Sequence, residues 1–321
     1  MKRGYSILLT ALVGIMFILA FGAASSGCPK NTNDKTVNPY PEGTTGVVVD
    51  FLENSPPPEV VDGGSAPFDI IVDLENVGAV NIPKDNVQVI ISGLYPEMFS
   101  KTDADFTKNP DDDLNGAQKD LEGNLIPGSK LQVAFTGLNY KGALEGNMVF
   151  PIRADICYKY STKATGKFCA RSNVLSTAPG VCEITGTKTI FSSGAPIQVT
   201  SFSENVAGTK KVSFTFKISL KGNGLLFKQG TSCANNYANK NKLYVEVNTG
   251  ISGLSCQGLS DRPGNSPNSG YLRMVSGEAT LTCTQELGGT TDYSTPVNLL
   301  ITYDYLDSKP TEITVKHLPT G

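Results

Sequence analysis

Two segments of this 321-residue chain repeat one another at a nearly constant offset, and both carry the two-residue period of strands. In Pro67–Glu75 (PFDIIVDLE), Phe68, Ile70, Val72 and Leu74 fall on one side of an extended backbone and Asp69, Asp73 and Glu75 on the other. That is a half-buried antiparallel strand. Lys211–Lys221 (KVSFTFKISLK) repeats the pattern: Phe68, Ile70, Val72, Leu74 and Gly78 map onto Phe214, Phe216, Ile218, Leu220 and Gly224 at an offset of 146. A second pair, Pro151–Tyr160 (PIRADICYKY) and Pro296–Tyr305 (PVNLLITYDY), matches at an offset of 145. Two segments in one register point to a duplicated unit.

Helical period is nearly absent, and 33 Gly and 19 Pro with only 18% charged residues are a strand-and-turn composition. Each copy offers about seven strands. The last two of the first copy fall near 147–160 and 164–172, and the last two of the second near 296–306 and 310–317. The fold class expected is all-β: two tandem immunoglobulin-like β-sandwiches over 46–178 and 183–319. They follow an N-terminal hydrophobic signal or anchor helix (1–28) and a flexible, Pro-bearing tether (29–45). The strand ending in Leu74-Glu75-Asn76-Val77-Gly78 and the late Cys157-Tyr158-Lys159-Tyr160 strand resemble CARDB-type immunoglobulin-like domains of archaeal and bacterial surface proteins. The resemblance implies a seven-stranded sandwich and a role in surface architecture or adhesion, with no catalytic residues.

The first 28 residues have the form of an export signal. Lys2 and Arg3 lead an apolar run from Ile7 to Ala24, small residues follow, and Cys28 closes the segment. Ser25-Ser26-Gly27-Cys28 resembles a lipobox, which would make Cys28 the lipidated N-terminus. Cleavage near Ser25 and a retained helix are the alternatives. Arg3-Gly4-Tyr5-Ser6 ahead of an apolar run also resembles the class III signals of archaeal pilins. Each reading puts the body outside the cytoplasm, where disulfides persist.

Seven cysteines are present, and Cys28 is the odd one. Cys157 and Cys169 stand symmetrically about Lys163, so a hairpin turning at Thr162–Ala164 would join them as a surface staple. Cys256 with Cys283, and then Cys182 with Cys233, complete one of fifteen possible pairings. No Cys-x-x-Cys occurs, which argues against a thiolate metal centre. Asp111-Asp112-Asp113-Leu114-Asn115-Gly116-Ala117-Gln118-Lys119-Asp120-Leu121-Glu122 fits the calcium-loop pattern, with Asp111, Asp113, Asn115, the carbonyl of Ala117 and Glu122 as ligands. Its flanks, Pro110 and Gly123, are not helical, and an Asp-rich surface loop is the other reading.

No nucleophile elbow, phosphate loop or His-Glu-x-x-His is present, and the one histidine, His317, lies near the C-terminus. A net charge of −3 offers no basic footprint for nucleic acid. The expected function is that of a non-catalytic, extracytoplasmic, membrane-tethered cell-surface protein acting in surface architecture or adhesion. The alternative is a pilus-like filament subunit. Expected partners are the membrane through the N-terminus and other surface proteins, or the chain itself, through strand edges. No cofactor is expected beyond the candidate Ca2+.

Overall fold

The alternating segments are strands in the computed structural model, which describes residues 37–176 and 178–318. In chain order they are β1 (Val47–Phe51), β2 (Glu59–Val61), β3 (Phe68–Asn76), β4 (Val87–Ser92), β5 (Thr107–Lys108), β6 (Gln118–Lys119), β7 (Leu125–Ile126), β8 (Lys130–Leu138) and β9 (Met148–Ala170). There follow β10 (Gly186–Lys188), β11 (Ile190–Ser192), β12 (Ile197–Gly208), β13 (Lys211–Leu220), β14 (Leu225–Phe227), β15 (Lys242–Asn248), β16 (Leu254–Gln257), β17 (Ser269–Arg273), β18 (Glu278–Glu286) and β19 (Tyr293–Lys316). Helical structure among the described residues amounts to four short 3₁₀ turns.

Three strands, β1-β3-β8, form one open sheet, and five, β10-β12-β13-β18-β16, form another. A third sheet has nine strands along the path β17-β15-β19-β9-β4-β5, with β2 and β14 added on β19 and β11 on β9. Its centre is the pairing of β9 with β19, unbroken from Tyr293↔Ala170 to Val315↔Met148. At about 3.3 Å per residue that ladder is roughly 75 Å long. β4 and β2 join it toward one end, β15 and β11 toward the other.

The expectation of two tandem immunoglobulin-like sandwiches is therefore corrected. Among the described residues no sheet closes into a sandwich or barrel; one nine-stranded sheet runs through both copies, and Asn38–Gly321 is one compact unit. The reason lies at Thr162–Ala164, where a turn had been expected. No Gly, Asn, Asp or Pro stands there to reverse the chain. Thr162 is buried and donates from Oγ1 to the Ile197 carbonyl at 2.7 Å. The alternation of buried and exposed residues passes straight through this point. The end of the expected tether is also built in: Gly194 N–H donates to Pro41 O at 2.7 Å and Ala195 N–H to Gly43 O at 3.2 Å.

The inward face of the ladder carries four tyrosines, all buried: Tyr158, Tyr160, Tyr303 and Tyr305. Tyr158 lies opposite Tyr305 and Tyr160 opposite Tyr303, with ring centroids 5.7 and 6.4 Å apart. Each hydroxyl reaches backbone packed above the ladder: Tyr158 and Tyr303 bind strands of the two smaller sheets, Tyr160 and Tyr305 bind connecting segments. Tyr158 Oη accepts Val47 N–H at 3.1 Å, Tyr303 Oη accepts Ile197 N–H at 3.4 Å, and Tyr305 Oη accepts Gly224 N–H at 2.7 Å. Tyr160 Oη accepts Val80 N–H and donates to Gly194 O, both at 3.4 Å. Burial pushes all four phenols up, Tyr305 to about 12, so they stay neutral hydrogen-bonding groups.

The repeated glycines now have a cause. A Cβ on Gly78 would overlap the Tyr160 hydroxyl, and one on Gly224 would overlap the Leu306 carbonyl and stand 2.8 Å from Tyr305 Cε1. Around these contacts the two smaller sheets and the inner face of the nine-stranded sheet share one apolar core.

No helix among the described residues is long and apolar enough to cross a membrane. The export signal or anchor, the lipidated Cys28 and the class III alternative fall on residues outside those described. The membrane-anchored placement, the membrane partner and the surface-adhesion role built on tandem sandwiches are thus corrected: among the described residues there is neither an anchor helix nor a pair of tandem sandwiches to support them.

Gly78→Ala should lower the unfolding free energy in urea by about 1–3 kcal/mol, as overpacking does. Tyr160→Phe removes the hydroxyl in the way, so the double variant should lose less than the two single losses combined. Strict additivity would show that the clash is not with that oxygen.

Candidate functional site

The second repeat contains a surplus that the first lacks. Gln88 pairs with Cys157 on β9 and Tyr244 with Thr302 on β19, and Cys157 and Thr302 are equivalent at the offset of 145. Ten residues lead from Gly78 to Gln88 but twenty from Gly224 to Tyr244. The extra length forms a loop, Lys228–Lys240, with closed ends. Lys228 N–H donates to Asn239 O at 2.8 Å, Asn241 N–H donates to Leu226 O at 2.9 Å, and Phe227 bridges Lys240. It is an Ω-loop laid on the outer face of the nine-stranded sheet.

Three separate devices fasten it. Cys233, within the loop, is disulfide-bonded to Cys157 of β9, closing 76 residues of chain. The chain-entropy model assigns such a closure about 4–5 kcal/mol. Asp304 of β19, buried beneath the loop, accepts Gly230 N–H at 3.0 Å and Thr231 N–H at 2.7 Å. Arg273 of β17 donates to Lys240 O at 2.8 Å and Tyr237 O at 3.2 Å. Phe227 and Leu306 pack around the disulfide in a small apolar cluster of their own. Within this frame Ser232 (φ 47°) and Cys233 (φ 55°) are consecutive left-handed residues, and Asn241 (φ 59°) is a third. For non-glycine residues this conformation costs on the order of 1 kcal/mol each, and it persists where surrounding contacts over-determine it.

The loop holds Tyr237 out into solvent, 85% exposed, with the Arg273 guanidinium 4.8 Å from its ring centre. On one side lies a recess of about 150 Å³ whose lining includes Asp85, Asn86, Gln88, Asn109, Lys159 and Asp304. On the other side stand Tyr271 and Tyr244, 5.3 Å apart. Lys228 Nζ is 4.6 Å from the Tyr271 ring centre, and Gln229 Nε2 donates to the Tyr271 hydroxyl at 3.4 Å. Lys242 is paired with Asp261 at 3.3 Å. None of these positions stands out in the sequence alone. The legible signal was the ten-residue surplus in the spacing between repeated motifs.

The cysteines pair differently from the expected scheme. Cys157 and Cys169 do not bond to each other, because both lie on the uninterrupted strand β9. Cys169 bonds Cys182 and Cys157 bonds Cys233, which replaces the Cys182–Cys233 pair; Cys256 and Cys283, opposite each other on β16 and β18, form the third bridge.

The acidic loop does not gather its expected ligands. Asp113 Oδ1 accepts Lys84 N–H at 2.9 Å, and Lys84 Nζ donates to Asp111 O at 3.1 Å. Asn115 N–H is bound by Ser129 Oγ, Ala117 N–H donates to Gly78 O, and Glu122 stands at the tip of the β6–β7 hairpin. Leu114, fully buried, pulls the middle of the loop into the core. Among the described residues no three His, Cys, Asp or Glu side chains form a group able to hold a metal.

His317 is a clasp. Its Nδ1 lies 2.9 Å from Asp62 Oδ2, and Asp62 also accepts Leu144 and Leu318 N–H at 2.8 and 3.0 Å. Those backbone hydrogen bonds and the one to His317 draw the Asp62 carboxyl down to about 2. Glu204 shifts the other way. It is buried on the core face of β12, accepts Cys169 N–H at 2.9 Å and lies 3.4 Å from Lys188 Nζ. Burial outweighs both partners and raises its carboxyl to about 7.

Comparison with known proteins is sparse. No family model matches the chain, so the CARDB resemblance of the strand motifs gains no support there. No curated protein matches it significantly. A remote structural similarity to a bacterial surface adhesin is found: the serine-rich repeat adhesion glycoprotein Srr1 of Streptococcus agalactiae, at 10% identity, TM-score 0.18, 86% of this chain and 97% of that one. A likeness of that size carries no argument about fold or role.

Because Glu204 binds its proton more tightly folded than unfolded, its stabilising contribution is complete below about 4.5 and is lost as pH rises through about 7. The unfolding free energy should therefore fall across that window. Glu204→Gln should flatten the slope, as read by urea denaturation at stepped pH; an unchanged slope would assign it to other groups.

Proposed function

We propose that the Asn38–Gly321 unit is a non-catalytic, disulfide-locked binding protein whose β-framework presents the Lys228–Lys240 loop as a preformed recognition element. The observation that carries this reading is the fastening of the loop: a disulfide, a buried carboxylate and an arginine hold consecutive left-handed residues in place. Loops carry function where a rigid scaffold positions them, and an ordered loop spares a binding partner the entropy of ordering it. Six bonded cysteines suit an oxidising environment.

A non-catalytic role is supported by the engagement of the groups that chemistry would need. His317 is held by Asp62, and the Asp304 carboxylate is occupied by two backbone N–H groups. The CARDB-like motif residues around Leu74–Gly78 and Cys157–Tyr160 agree with it, since in this chain they hold strands, a bridge and the tyrosine cluster.

Amide hydrogen exchange tests the reading. In the intact protein, residues 228–240 should exchange at least about tenfold more slowly than in a Cys157→Ala/Cys233→Ala double variant, with protection elsewhere little changed. Fast exchange of the loop in the intact protein would remove the preformed element and the proposal with it.

A further inference from the structure

We propose that the Cys169–Cys182 bridge is a redox latch on the segment joining the two repeats. Its reduction opens that segment to proteolytic cleavage, and the cut protein stays in one piece. β9 ends at Ala170 and β10 begins at Gly186, with no strand or helix between them among the described residues. The bridge ties Cys169, buried on β9, to Cys182 within this segment, at a sequence separation of 13. Arg171 tightens the loop so closed. Its guanidinium donates to the Ser176 and Ala178 carbonyls at 3.3 and 2.9 Å and pairs with Asp292 at 3.2 Å. A protease must draw several consecutive residues into an extended form, which happens only when the segment opens locally. Backbone closed by a short bridge and wrapped on a guanidinium resists that.

Two further observations single out this bridge. Leu175 and Val181, inside the closed loop, are 59% and 73% exposed, large side chains on connecting chain of the kind that is nicked. Cys182 is also the one bonded cysteine that is not buried, and it lines a recess of about 730 Å³. An external thiolate can therefore attack Cys182 Sγ and form a mixed disulfide, while Cys169 leaves as a thiolate and takes a proton from water. A second thiol then displaces Cys182. The balance is two cysteine thiols gained and two external thiols oxidised to one disulfide. Cys169 keeps its place afterwards, since β9 holds it opposite Ser294 and Glu204 accepts its N–H at 2.9 Å.

Cleavage releases neither half. A cut between Leu175 and Cys182 puts β9 in one piece and β19 in the other, and these two strands pair over the whole ladder. Cys157 and Cys233 fall on opposite sides of the cut, so their buried bridge joins the two pieces covalently. Cys256 and Cys283 both lie in the second piece. The product is a two-chain molecule with its core, its tyrosine cluster and its fastened loop intact.

Limited digestion of the full chain with subtilisin tests this, with and without brief exposure to dithiothreitol followed by iodoacetamide. Peptide mapping should find Cys169 and Cys182 alkylated before the other bonded cysteines. Cleavage between Leu175 and Cys182 should then be at least about tenfold faster than in the untreated protein. A Cys169→Ala/Cys182→Ala variant should be cut at that faster rate with no reductant, its folding checked by amide protection across β9 and β19. If that variant does not fold, the reduced and alkylated protein carries the test alone. The cut product should elute as one particle in native buffer, run as one band on a denaturing gel without reductant, and give two fragments with it. Equal cutting rates with the bridge closed and open, earlier alkylation of Cys157 and Cys233, or separation of the fragments in native buffer would each overturn the proposal.

Discussion

The pairing of β9 with β19 is the constraint on which the rest of the molecule depends. Because both strands run the length of the nine-stranded sheet, each copy of the repeat is completed by half a strand from the other. Neither copy can leave without uncovering the tyrosine cluster. Burying the ring of each of the four is worth about 1.5–3 kcal/mol. The hydroxyls of Tyr158 and Tyr303 then bind the backbone of the two smaller sheets, and that of Tyr305 binds the segment after β13. The ladder, the cluster and those sheets therefore form one cooperative unit.

The register of the ladder is that of a two-fold axis. Adding 145 to the β9 residue of a pair and subtracting it from the β19 residue gives another pair of the same ladder, as Tyr158↔Tyr305 gives Tyr303↔Tyr160. This is the relation expected of two identical units that exchange a strand, here written twice in one chain. It explains why the strongest match in the sequence is the segment through the Tyr-x-Tyr motif. Only the pair on the axis, Lys159 and Asp304, faces its own equivalent; the tyrosines on either side face the equivalent of their Tyr-x-Tyr partner, so a change there disturbs both copies at once.

Much of this was legible in the residues. Phe68–Leu74 and Phe214–Leu220 alternate so cleanly that strand and inward face follow directly, and the matched Gly78 and Gly224 mark where tyrosines close on the backbone. What was not legible is long-range. Thr162-Lys163-Ala164 extends a strand because Ile197 and Ser193, some thirty residues away, bind it; the lack of a turn-forming residue there is the one local sign, and it does not name those partners. Cysteine pairing failed for the same reason, since a hairpin that does not exist had put Cys157 and Cys169 face to face. The acidic loop matched a pattern of residue types while Leu114 and Lys84 committed its backbone elsewhere. The Lys228–Lys240 loop was visible only as a difference in spacing between two copies.

That difference belongs where the symmetry places it. The axis passes between Lys159 and Asp304, which are equivalent in the repeat and opposite in the ladder. In a pair of identical units this position would set like charge against like, which destabilises a cross-strand pair. Joining the units in one chain lets the two positions diverge, one to lysine and the other to aspartate. Asp304 is not spent on Lys159: it turns to the two N–H groups of the inserted loop, while Lys159 lines the recess at the loop's edge. The duplication thus frees a position that symmetry would otherwise hold neutral, and the loop is anchored at that position.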